Sequence, residues 1–208
     1  MQKPDSTPAF CSEGGDTVCL TDVLSAIMRE IALFSPQFAH IDMRYILVSV
    51  AFNRAAVRGY MYGKLVPLCF ENGQKESVYK GRFYRMPDVV YEDIDQLYVI
   101  YFYAPRFFNL SPYEKLKVIF HELYHVSPEF NGDIRRMGSK KFAHGHSRKK
   151  FDSFFEEEAK RFGEHITNTG FFEFLSFSVN DFYKKFKKVT YLKVKTPRAV
   201  LVKGHDKA

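Results

Sequence analysis

The chain has 208 residues, 46% of them hydrophobic, with 22 Phe and 13 Tyr but no Trp, and a net charge of +7. That length fits one domain with a substantial, aromatic core. No apolar run approaches the roughly 20 residues of a bilayer-spanning helix, which argues against a membrane protein. Cys11, Cys19 and Cys69 are odd in number and lack CxxC spacing, which argues against a disulfide framework and a thiolate zinc site. The N-terminus shows no basic stretch followed by an apolar one, so the expected compartment is the cytoplasm.

Residues 1–19 are rich in Pro, Ser, Thr, Gly and Asp and lack periodicity, so a disordered tail is expected ahead of a single domain over 20–208. Val23, Leu24, Ile27, Met28, Ile31 and Phe34 follow helical spacing from about Thr21, and Pro36 ends that helix. Four β-rich stretches come next, at 44–52, 64–70, 78–90 and 96–103, divided by turn-prone segments such as Glu71-Asn72-Gly73. They predict an antiparallel or mixed sheet. A second helix is expected over 111–126, because Ser111-Pro112-Tyr113-Glu114 reads as an N-cap, a first-turn proline and a capping-box carboxylate. Its apolar stripe is Leu116, Ile119, Phe120, Leu123 and Tyr124. A third helix is expected over 147–166, with Phe151, Phe154, Phe155, Phe162 and Ile166 on one face and Gly163 weakening its last turns. A short helix at 180–188 and a strand within 190–202, broken at Pro197, complete the reading.

The charge is concentrated at the C-terminus. Residues 181–208 carry nine Lys or Arg against Asp181 and Asp206, which leaves the rest of the chain neutral. Such a segment attracts nucleic acid weakly and without sequence preference, or simply presents a solvated face. The spacing of Phe182, Tyr183, Phe186 and Tyr191 suits core packing and favours the solvated face.

The predicted second helix contains His121-Glu122-Leu123-Tyr124-His125. Two imidazoles four residues apart share one helix face and are close enough to hold one zinc ion, and the intervening carboxylate reaches a metal-bound water. That pattern is the core of a zinc metalloprotease, with Glu122 as general base. A catalytic zinc takes three protein ligands, so a third is expected elsewhere. His144 and His146 lie 19 and 21 residues beyond His125, in Phe142-Ala143-His144-Gly145-His146-Ser147. The glycine beside His144 lets the backbone approach the metal, which favours His144 over His146. Glu157, with its neighbours Glu156 and Glu158, is a further alternative, and Asp152 and His165 are weaker ones. Asp133, Arg135 and Arg136 form a polar cluster after the helix that suits either a bond to a ligand imidazole and oxyanion stabilisation, or a salt-bridged loop. His40, His165 and His205 have no motif context.

HELYH with the following 127–136 segment (SPEFNGDIRR) and Ala143-His144-Gly145 resembles an uncharacterised family of metallopeptidases, as do the segments at 39–42, 67–68 and 102–107. This resemblance covers most of the chain. The zinc core alone is similar to the SprT-like, or Spartan-type, proteases, although the second and third histidines are further apart here. In those proteins the HExxH histidines and the histidine of a His-Gly pair bind zinc, which by resemblance falls on His121, His125 and His144. The expected fold is α+β and zincin-like (minigluzincin-like), with a mixed or antiparallel sheet packed on the HExxH helix. The expected function is zinc-dependent hydrolysis of polypeptide substrates. The competing reading is a non-catalytic zinc or nucleic-acid-binding protein that docks through its basic C-terminus.

Overall fold

Strand β1 (Thr17–Cys19) leads directly into helix α1 (Leu20–Phe34), after which come β2 (Ile46–Phe52) and β3 (Gly63–Pro67). A hairpin of β4 (Glu76–Tyr79) and β5 (Arg82–Arg85) follows, then the short pair β6 (Val90–Tyr91) and β7 (Ile94–Asp95), then β8 (Tyr98–Ala104). The remainder is α2 (Pro112–Tyr124), α3 (Arg148–Asp152), α4 (Glu156–Ile166), α5 (Gly170–Ser176), α6 (Val179–Lys185), β9 (Lys188–Thr190) and β10 (Val200–Leu201). The computed structural model describes residues 16–52, 61–137 and 148–202.

The fold is α+β. Its central sheet has the order β2-β8-β3, with β2 and β8 parallel and β8 and β3 antiparallel, so it is mixed and β3 is an edge. Alternation along β8 divides the interior into two layers. Tyr98, Ile100 and Phe102 join the helices in the larger core, while Val99 and Tyr101 meet Leu47, Val66, Leu68 and Met86 on the other face. The second layer is closed by Leu192, Val194 and Ala199, where the chain runs beside β2 and Val50 N–H donates to Leu192 O. The basic C-terminal segment is therefore part of the fold. Phe182 and Phe186 are buried while Lys184, Lys188, Lys193, Lys195 and Arg198 stay exposed.

Several expectations are corrected. Thr17–Cys19, assigned to the tail, pair in parallel with Lys188–Thr190 and bury Val18; a partner about 170 residues away leaves no local pattern. The stretch at 78–90 is not one strand. Lys80 and Gly81 both take positive φ and turn the chain into the β4–β5 hairpin, as a two-residue loop of that kind demands. The third helix is broken after Asp152 by a turn over 153–155, and Phe154 leaves the apolar face to stack on Tyr124 at 5.8 Å. Helix α5 had no counterpart among the expected elements.

Helix α2 begins as its sequence demands. Ser111 Oγ accepts from Glu114 N–H and the Glu114 carboxylate accepts from Ser111 N–H, satisfying two of the helix's open amide donors. Lys115, one residue on, is 1% exposed and donates to Leu175 O and Phe177 O, both at 2.7 Å, pinning α2 to the end of α5. Burial lowers its pKa to about 8. Above that value the unfolded chain, whose lysine titrates near 10.4, binds more protons than the folded one, so folding stability should rise with pH between about 8 and 10. Denaturant titrations across that window check this. The Lys115→Met variant should lose that rise, and a slope unchanged in the variant rejects the assignment.

Candidate metal centre and catalytic site

Sheet and helices converge on the C-terminal half of α2. His121, Glu122 and His125 are all buried. Spacing of one helical turn brings the two imidazoles to a ring separation of 4.8 Å, and their Nε2 atoms lie 3.1 Å apart. Two nitrogens each about 2.0–2.1 Å from one tetrahedral zinc would be about 3.3 Å apart, so the pair fits a shared metal ion with little adjustment. Phe151 forms an apolar wall against both rings, 5.0 Å from His121 and 4.7 Å from His125.

Asp152, at the end of α3, lies 2.7 Å from His121 Nδ1 through Oδ1. A carboxylate there holds the proton on Nδ1, which fixes the ring's orientation and directs the Nε2 lone pair toward His125. On either side of Asp152, Phe151 and Phe155 are buried. Asp152, a weak ligand candidate by sequence, meets the Nδ1 of His121 rather than the space between the two Nε2 atoms.

Glu122 lies on the side of α2 that meets β3, and its Oε2 accepts from Leu65 N–H at 2.7 Å. Burial, and to a lesser degree the Glu122 charge, pushes the Tyr103 phenol above its ordinary pKa. From His121 a cleft of about 200 Å³ runs along α2, lined by Tyr62, Leu110, Glu114, Lys117, Val118 and Asp152. Lys117, on its wall, pairs with Glu156 at 3.1 Å, and Tyr62, Leu110 and Val118 supply its apolar surface.

The 133–136 cluster makes its bonds to the loops around it and to the end of α2. Asp133 accepts from Arg136, from Asn72 N–H and from Ile134 N–H, and the Tyr98 hydroxyl donates to its carbonyl. Arg135 donates from Nε to Tyr124 O, its guanidinium covers the Tyr124 ring at 4.3 Å, and its own N–H reaches His125 O. A cation stacked at a helix C-terminus caps open carbonyls and complements the dipole. These residues hold the end of α2 in place as a salt-bridged loop.

Glu157 lies on α4. It is exposed on the face of α4 opposite Ala159, Phe162 and Ile166, which pack inward. Glu158 pairs with Arg161, and the exposed His165 packs beside Phe34 and Phe162. His144 and His146 lie outside the described residues.

A family model for putative phage metallopeptidase matches residues 22–187, which is most of the chain and includes both histidines and Glu122. The chain belongs to this family. No curated protein and no solved structure matches it. Membership in this metallopeptidase family implies a metal cofactor and polypeptide substrates, and among the described residues no helix is long and apolar enough to cross a membrane. Two contributions to the site left no mark in the sequence: the Leu65 amide on Glu122, and Asp152 as partner of His121. Each depends on a contact between segments more than 30 residues apart, for which neither spacing nor residue type gives a signal.

Proposed function

We propose that this phage-metallopeptidase family member is a zinc-dependent peptidase with a zincin-like fold, in which His121 and His125 hold the metal and Glu122 is the general base. The supporting observation is the pair of Nε2 atoms 3.1 Å apart, one ring oriented by Asp152, with a carboxylate on the adjoining residue. We take His144 as the third donor, with His146 the alternative; Glu157 and His165 are exposed on α4 and Asp152 meets His121 Nδ1.

Zinc, when bound, supplies a Lewis acid that polarises the scissile carbonyl and makes a water acidic enough to attack near neutral pH. The protein's own groups do the rest. Asp152 keeps His121 in the tautomer that presents Nε2. Phe151 excludes water from one side of the imidazole pair, strengthening local electrostatics. Glu122 takes the proton from the attacking water and returns it to the departing amine, a task that needs a carboxylate within hydrogen-bond reach of both. The cleft along α2, with Tyr62, Leu110 and Val118 in its walls, receives one side chain of the substrate.

The competing nucleic-acid reading rests on charge alone. Two of the basic residues in the segment are already paired, Lys185 with Glu173 and Lys187 with Asp16.

Purified protein should contain about one zinc per chain and cleave an unfolded polypeptide such as reduced, alkylated casein. A chelator should abolish cleavage and added zinc should restore it. Protein that neither carries zinc nor takes it up in a titration overturns the reading.

A further inference from the structure

The edge strand β3 touches the proposed general base at two points. Leu65 N–H, turned away from β8, donates to Glu122 Oε2 at 2.7 Å, and both residues are buried. Two residues earlier, and so on the same side of the strand, stands Gly63. A Cβ at Gly63 would lie 2.9 Å from both Cγ and Oε1 of Glu122 and 3.1 Å from Val118 Cγ1. The φ of Gly63 is not among the positive ones, so backbone conformation does not require a glycine here. Glycine inside a strand sacrifices side-chain packing and marks a place where something approaches closely. What approaches is the Glu122 side chain.

We propose that β3 is the positioning element for the catalytic carboxylate: Gly63 leaves the slot that Glu122 occupies, and the Leu65 amide fixes its carboxylate at the head of that slot. The proposal rests on Glu122 being the general base. Gly63 is a positioning residue, acting only through Glu122. The side chain has three rotatable bonds and would otherwise sample several rotamers, whereas a proton acceptor displaced by about 1 Å costs on the order of 10²-fold in rate. An outward N–H on an edge strand is also a ready donor that costs the sheet no ladder bond.

The test is a Gly63→Ala substitution in the full-length, zinc-loaded protein. The atoms nearest the new methyl group belong mostly to the flexible end of Glu122, so fold and zinc content should be retained. With casein as substrate, kcat should fall about 10²-fold with KM little changed. In a Glu122→Gln background the same substitution should have no further effect, a non-additivity that a general loss of structure would not produce. A second readout needs neither activity nor metal. Hydrogen exchange at the Leu65 amide should be slow in the wild type and at least about tenfold faster in Glu122→Ala, as loss of one hydrogen bond to a charged group implies. Wild-type turnover in Gly63→Ala, or Leu65 exchange indifferent to Glu122→Ala, overturns the proposal. Full activity in Glu122→Gln instead overturns the functional reading beneath it, and the exchange experiment still decides whether β3 holds the side chain.

Discussion

Glu122→Gln is expected to bind zinc as the wild type does and to hydrolyse polypeptide at least about 10²-fold more slowly, the lower end of what a positioned general base contributes and equivalent to about 2.7 kcal/mol of barrier. The substitution keeps the length of the side chain and an oxygen able to accept from Leu65 N–H at the same 2.7 Å contact. Packing and fold should therefore be unchanged, and only basicity is removed. The loss should appear in kcat rather than KM, because proton abstraction occurs in the transition state and not in the bound ground state. Single-turnover cleavage with zinc content measured on the same sample makes the comparison. Wild-type rates with zinc in place would falsify the mechanism while leaving the metal site intact.

The second expectation is a graded series in zinc affinity, read by competition with a chromophoric chelator. His121→Ala and His125→Ala each remove one of two converging Nε2 donors and should abolish binding at micromolar zinc. Asp152→Ala leaves all ligands in place and frees the His121 ring to rotate and change tautomer, so affinity should fall about 10- to 100-fold. If Asp152→Ala is as defective as His121→Ala, the carboxylate is itself a ligand. If it matches the wild type, the 2.7 Å contact has no part in metal binding. His144→Ala should approach the defect of His121→Ala while His146→Ala stays near the wild type, and the reverse order makes His146 the third ligand.

The features legible in the sequence were local. The capping box at Ser111 and Glu114 formed as its spacing implied because all its partners lie within one turn. The HELYH face followed from helical periodicity alone. Helix α1 likewise declared itself through an apolar stripe that the fold buries at Leu24, Ile27, Met28 and Ile31. Even the corrected hairpin had a local sign, since a Lys80-Gly81 pair between β-prone runs matches a two-residue turn.

Tertiary structure decided whatever depends on which surfaces meet. A parallel pairing such as β1 with β9 carries no sequence signature, because its residues need only extended backbone and a partner far along the chain. The same holds within the site. Asp133 and Arg136, two charges three residues apart, suit catalysis or a salt bridge equally by sequence, and only the structure shows their ion pair together with the bonds to Asn72 N–H and Ile134 N–H. Asp152 became the partner of His121 because the packing of α3 against α2 brings together residues 31 positions apart. Gly63 reads as an unremarkable residue at a strand edge, and only the approach of Glu122 gives it a purpose. Periodicity and spacing thus determined the helix and the face on which His121 and His125 come together. The orientation of those side chains was left to long-range contacts, because a hydrogen bond across more than 30 residues is specified by the whole fold rather than by the residues at its ends.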